Sequence, residues 1–224
     1  MGSVALAWKY LALAFSALLP VINPFGSALM FLGLIGDAPA SAYQDLAAKI
    51  AVRAALFLLV TELAGSALLR FFGISLPIVE VSGGLVLAVM GWRMLNQQEV
   101  PIEPAPAEVS DTRLKVIQQK IFYPLTFPVT VGPGCIVVML TLSAHASSNG
   151  TLQDVMAHVG ILVAVVLLSL VVYVCYRYAP GITARISAQT AHGVLRVIAF
   201  VLLCIGVQIT WNGLESLLAK VLTR

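Results

Sequence analysis

Two short stretches place polar and helix-breaking residues inside long apolar runs. In residues 17–34, ALLPVINPFGSALMFLGL, they are Pro20, Asn23, Pro24 and Gly26; in residues 123–134, YPLTFPVTVGPG, they are Pro124, Thr126, Pro128, Thr130, Gly132, Pro133 and Gly134. Proline inside a helix removes a backbone N–H and clashes with the turn before it, at a cost of about 3 kcal/mol. Each such proline also deprives an upstream carbonyl of its donor. Gly26 adds backbone freedom, and Asn23 accepts left-handed or turn geometry. Helices restarting after Pro24 and Pro133 would point positive dipole ends at the gap, which suits a carboxylate, while freed carbonyls suit an ammonium group. The combination fits a zwitterion. A lone proline more often merely kinks a membrane helix, but two breaks at matching places of two halves point to a transport site.

Other polar residues allow two readings each. Glu62 falls near the middle of an apolar run, with Gly65 and Ser66 about one turn on. It is either a carrier of a coupling ion, H+ or Na+, or a protonated carboxyl held between helices. Gln208, Trp211, Asn212 and Glu215 form one helical stripe that faces inward or lies near the membrane surface. Thr126 and Thr130 can cap carbonyls freed at Pro128, or line a path. Glu80, Gly83, Gly84, Leu87 and Gly91 share a face whose glycines read as close helix packing. His145, His158 and His192 lie at run ends and read as interfacial. Cys135, Cys175 and Cys204 sit in apolar runs without metal-ligand spacing, so no metal or other cofactor is expected. The apolar runs hold no Ser/His or paired-Asp arrangement suited to an intramembrane protease, which argues against an enzyme.

The elements that must position these residues follow from composition. Of 224 residues, 60% are hydrophobic and 10% charged, against roughly 25% charged in soluble domains. Runs of about 20 apolar residues, the length that spans a bilayer, recur along the chain. The fold expected is an all-α polytopic membrane protein. Six spans are placed at about 7–35, 46–72, 76–95, 121–143, 155–178 and 194–218, the first and fourth discontinuous. They fall into two three-span repeats, 1–95 and 119–224, joined by a Pro-rich linker at 96–118. Three is odd, so the halves must be inverted. The 13 basic and 10 acidic residues form no cluster suggesting nucleic acid. Lys9, Arg70, Lys220 and Arg224 flank the side of the termini, and the other nine basic residues the opposite side. Positive residues stay cytoplasmic, so both termini are expected to be periplasmic and the linker cytoplasmic. Trp8, Tyr10, Phe71, Phe72 and Trp211 mark one interface; Phe122, Tyr123, Tyr176 and Tyr178 mark the other.

Four segments carry a family resemblance: PVINPFG followed by MFL from Pro20 to Leu32, FFGISLPIVEVSGGLVLAVMGWRML from Phe71, YPLTFPVTVGPGCIVVMLTLSAH from Tyr123, and the closing VLRVIAFVLLCIGVQITWNGL. Together they resemble the MarC family of bacterial inner-membrane proteins. The second repeat departs in placing Gly132 where the first has Asn23. The resemblance implies a six-span protein related to transporters of small neutral amino acids, loosely grouped with LysE-type exporters.

The function expected is a secondary transporter of small neutral amino acids of the glycine, alanine and threonine class. It would be coupled to an ion gradient and work by alternating access around a midplane site. That site comprises Asn23, Pro24, Gly26, Thr130, Gly132, Pro133, Gly134 and Gln208, with Glu62 as the coupling candidate. An exporter of LysE type and a passive facilitator are the alternatives, and the partners expected are the zwitterion and the bilayer, with assembly of like chains left open.

Overall fold

A computed structural model describes residues 3–36, 38–96, 121–147 and 151–222. They are helical almost throughout and contain no strand. The helices are α1 (Ser3–Ile22), α2 (Pro24–Ile35), α3 (Ala40–Phe71), α4 (Leu76–Leu95), α5 (Ile121–Thr130), α6 (Pro133–Ala146), α7 (Thr151–Arg177), α8 (Ala179–Arg185) and α9 (Ala188–Leu222). The expected linker lies outside the described residues except for Asn96, which ends α4.

Where apolar surface has no soluble partner, it either packs inside the bundle or meets lipid. Ala14, Leu18, Phe31, Ile35, Leu46 and Ile50 from the first half pack with Ile121, Met139, Ile161 and Leu168 from the second in one core. Large apolar side chains also cover the outside: Trp8, Leu63, Phe71, Val166, Phe200 and Trp211 are all exposed. Such a surface fits lipid rather than water.

Among the described residues four helical stretches are long and apolar enough to cross a membrane: Val4–Ile35, Leu76–Leu95, Leu152–Arg177 and Gln189–Ala219. The pair Ile121–Thr130 and Pro133–Ala146, bent by 63°, makes a fifth if counted as one span. The six expected spans are therefore not all matched. α3, expected as the second, carries Asp45, Lys49, Arg53, Glu62 and Arg70 along its 32 residues, a heavier charge load than its neighbours bear. The two interruptions also differ. Between α1 and α2 only Asn23 leaves the helix, whereas α5 and α6 part at a sharp bend.

α1 packs on α6 and α7, α3 on α5, α6 and α7, and α4 on α6 and α9. The glycines of α4 do act as packing positions. A Cβ on Gly84 would lie 2.5 Å from the Thr210 nitrogen, and one on Gly206 would lie 2.3 Å from the Ala88 nitrogen. The α4 and α9 backbones thus cross in direct contact, as small residues permit in lipid. Gly206→Ala is expected to force the helices apart and destabilise the protein by about 1–3 kcal/mol. Gly33→Ala, where a methyl group would meet nothing within 4 Å, is expected to be neutral or stabilising by up to about 1 kcal/mol. Unfolding by SDS in mixed micelles compares the two; equal effects would contradict the close crossing.

Candidate functional site

Asn23 sits in the left-handed region, at φ 45° and ψ 63°, between a helix that ends and one that restarts with proline. The hydrogen-bond ladder nevertheless passes through it. Its N–H donates to the Leu19 carbonyl at 3.0 Å, and its carbonyl accepts from the Ser27 N–H at 2.9 Å. Its side-chain oxygen accepts from the Gly26 N–H at 3.1 Å, closing one of the amides that a helix N-terminus leaves open. Its amide nitrogen makes no hydrogen bond among the described residues and remains a donor for something else. A Cβ on Gly26 would lie 2.2 Å from that nitrogen, so a larger residue here would displace the Asn23 side chain.

The second break is built from a tandem pattern, aromatic–Pro–aliphatic–Thr, in Tyr123-Pro124-Leu125-Thr126 and Phe127-Pro128-Val129-Thr130. Both aromatic residues are extended, both X–Pro bonds are cis, and the backbone between them winds with π-type spacing. Each threonine hydroxyl claims a carbonyl five residues upstream: Thr126 donates to Ile121 at 2.8 Å and Thr130 to Leu125 at 2.7 Å. The Val131 N–H donates to the Thr126 carbonyl. Of the two roles open to the threonines, capping freed carbonyls is one they fill. α6 then starts at Pro133 with Gly132 as its N-cap residue and no side-chain cap.

The two breaks meet through Tyr176 of α7. Its hydroxyl lies 2.7 Å from the Thr130 hydroxyl, and the Ser27 side chain sits nearby. Ser27 in turn donates to the Asn23 carbonyl at 2.9 Å. Because Ser27 and Thr130 give their protons to the Asn23 and Leu125 carbonyls, the Tyr176 proton goes to Thr130, and the three hydroxyls form one buried polar cluster between the breaks. Phe31 stacks on the Tyr176 ring at 4.6 Å. A Cβ on Gly134 would lie 3.1 Å from Val21, so α6 begins against the end of α1.

The structure brings Asn23, Pro24, Gly26, Thr130, Gly132, Pro133 and Gly134 to the breaks and their junction, and leaves Gln208 elsewhere. Gln208 is exposed on α9 and donates to Asn212 at 2.8 Å. Ser27 and Tyr176 escape a reading of the sequence alone. Tyr176 reads as an interface anchor but is fully buried, unlike the exposed Phe122, Tyr123 and Tyr178. A cavity of about 270 Å³ beside the first break is lined by apolar residues, among them Pro20, Pro24, Val171 and Val197. It offers no polar group to a zwitterion.

A second polar cluster lies nearer the side of the termini. The Glu62 carboxyl, fully buried, bonds His158 Nδ1. His158 Nε2 lies 3.1 Å from the Ser147 hydroxyl, which donates to the Ser143 carbonyl at 3.0 Å. The Ser143 hydroxyl donates to the Glu62 backbone carbonyl at 3.0 Å. His158 is thus a partner of Glu62 and not only an interfacial residue. Acid, histidine and serine do stand in line, although no such set is visible in the sequence.

A family model described as MarC family integral membrane protein matches residues 8–218. The chain belongs to the MarC family. Its relatives include the UPF0056 inner membrane protein MarC of Salmonella typhimurium, 27% identical over 213 residues covering 94% of this chain and 96% of the relative. The protein of that name from Escherichia coli O1:K1 is 28% identical over 215 residues, with the same coverage. No solved structure matches. The match takes in both breaks, α7 and Glu62 of this MarC-family chain.

Thr130→Val keeps the shape but strands the Leu125 carbonyl and the Tyr176 hydroxyl. It is expected to cost about 1–3 kcal/mol, more than the roughly 1 kcal/mol for Tyr176→Phe, which leaves the Thr130–Leu125 bond in place. SDS unfolding ranks the two variants; a neutral Thr130→Val would contradict the role given to this hydroxyl.

Proposed function

We propose that this MarC-family chain is a secondary transporter of small neutral amino acids, of the glycine, alanine and threonine class, in the bacterial inner membrane. The observation that carries the reading is that the two interrupted segments meet in the protein interior, where Tyr176 bonds Thr130 of the second and stacks on Phe31 just after the first, and the start of α6 abuts the end of α1. Irregular backbone is tolerated at membrane depth where it is buried in protein or lines a cavity, and paired breaks of this kind mark transport sites. The unengaged Asn23 amide nitrogen and the uncapped start of α6 are donors suited to a carboxylate. Carbonyls now held by hydroxyls, which can rotate away, are acceptors suited to an ammonium group.

An inverted repeat is supported by the packing. Exchanging α1–α2 with α5–α6, α3 with α7, and α4 with α9 preserves the main pairings, α3 with α7, α4 with α9, and each broken segment with the long helix of the other half, but not the packing of α4 on α6. Alternating access then means rocking of one half against the other around the junction. In this reading 1–95 and 119–224 are the halves, the termini are periplasmic, an ion gradient drives the cycle and Glu62 takes part in coupling. Flux runs inward or outward as the gradient dictates.

Purified protein in liposomes, under an imposed proton or sodium gradient, is expected to move labelled glycine, alanine or threonine with saturable kinetics. Asn23→Gly retains the left-handed backbone but removes the side chain, and is expected to raise the half-saturating concentration about tenfold, as loss of a hydrogen bond to a charged group would. Absence of flux would reject transport, and unsaturable, uncoupled flux would favour a passive facilitator.

A further inference from the structure

The cluster of Glu62, His158 and Ser147 does not touch the junction of the breaks, yet it is built as a site. Glu62 Oε1 faces His158 Nδ1, whereas Oε2 is buried and has no hydrogen-bond partner. A carboxylate buried with one oxygen unpaired is costly, and a neutral carboxyl is much less so, because its carbonyl-type oxygen loses little. The hydrogen bonds agree with the neutral form. Ser147 has one hydroxyl proton and the Ser143 carbonyl can only accept, so with that bond made Nε2 is the donor to Ser147. The bond between Nδ1 and Oε1 then contains the one proton that the pair shares.

We infer that the Glu62–His158 pair, reached through Ser147 from the side of the membrane that holds both termini, is the proton-binding site that couples the cycle; the inference rests on the transport reading above. Ser147 is exposed and the His158 side chain is 29% exposed, while the Glu62 side chain is fully buried. In the proton-free pair Glu62 is anionic, Nδ1–H donates to Oε1, and the Ser147 hydroxyl turns from the Ser143 carbonyl to Nε2. Uptake from a hydronium ion forms an Nε2–H bond and breaks one hydronium O–H bond, leaving a water molecule. In the same event the Nδ1–H bond breaks and an Oε1–H bond forms, returning the Ser147 hydroxyl to Ser143. The pair ends neutral as a whole, with the proton stored on Glu62.

Charge makes this a coupling device. The neutral pair can stay closed between α3, α6 and α7, but the anionic pair requires water or a cation at Oε2, so release of the proton opens this end of the bundle. The motion reaches the breaks through α6, which the Ser143 hydroxyl ties to the Glu62 carbonyl. Its first residues, Pro133 and Gly134, lie about 15 Å away along the axis. A metal cation is a poorer occupant, since hard cations need a shell of several oxygens and the carbonyls of α3 and α6 here stay in continuous helices. The titratable and charged groups toward this end on the surrounding elements include Lys9 and Tyr10 of α1, Arg70 of α3, Glu80 of α4, His145 of α6 and Asp154 of α7. Glu80 is also buried and interacts with His145, so it is the control.

The test uses the full chain with two readouts. Difference infrared spectroscopy across a pH step is expected to show the carboxyl band of a buried protonated glutamate, lost in Glu62→Gln and retained in Glu80→Gln. In liposomes, Glu62→Gln is expected to lose uptake driven by a pH gradient about tenfold or more, while exchange of labelled for unlabelled amino acid persists. Ser147→Ala, a milder change that leaves the pair intact, is expected to alter the pH midpoint of the band. A band that survives Glu62→Gln and is lost in Glu80→Gln, or gradient-driven uptake undiminished in Glu62→Gln, would overturn the inference. If the wild-type chain moves no amino acid under any gradient, the transport reading fails, and the coupling inference built on it falls too; if it moves them but the Glu62 band is absent, only the proton site fails.

Discussion

Water does not reach the hydrocarbon layer, so a backbone group released by a proline must find its partner within the protein. This constraint governs the centre of the molecule. Two prolines in α5 and two around Asn23 leave upstream carbonyls without their helical donors in the interior of the bundle. The chain answers with short hydroxyl and amide side chains placed beside each gap. Thr126 and Thr130 reach back five residues, Asn23 reaches forward three, and Ser27 turns back to the Asn23 carbonyl. Tyr176 then joins the two sets, and its ring is stacked in place by Phe31.

Hydroxyl partners differ from backbone partners in one respect that matters for function. A helical N–H is fixed in direction, while a serine, threonine or tyrosine hydroxyl rotates and can both donate and accept. A junction held by hydroxyls is closed without being committed. In the proposed transport cycle the breaks exchange internal hydrogen bonds for bonds to a small zwitterion without unwinding the flanking helices. The cluster at Glu62 follows the same logic with a proton in place of the zwitterion, because the Ser147 hydroxyl has two acceptors within reach.

Much of the centre was legible in the sequence, because prolines, Asn23 and the glycines declare their backbone roles locally. The capping threonines were foreseen as one of two readings, and the glycine face of α4 as packing. What could not be read depends on contacts distant in sequence. Glu62 and His158 are 96 residues apart, and neither carries a local mark of the other. Tyr176 reads as an anchor because an aromatic at a span end usually is one, but α2 and α5 bury it. Gln208 and Asn212 were correctly placed on one helical face, yet periodicity does not say which way a face points when most of α9 is lipid-facing. The charge load of α3 likewise makes it a poorer span by composition than by length.

The most direct test of the central claim is a double-mutant cycle between the two breaks. Ser27→Ala and Thr130→Val, singly and together, are compared by SDS unfolding in mixed micelles with Tyr176 intact. A shared buried cluster around Tyr176 should make the two changes non-additive, with an interaction of about 0.5–3 kcal/mol. Additivity within about 0.3 kcal/mol would mean that the breaks are energetically separate, and the account of one central site would be contradicted.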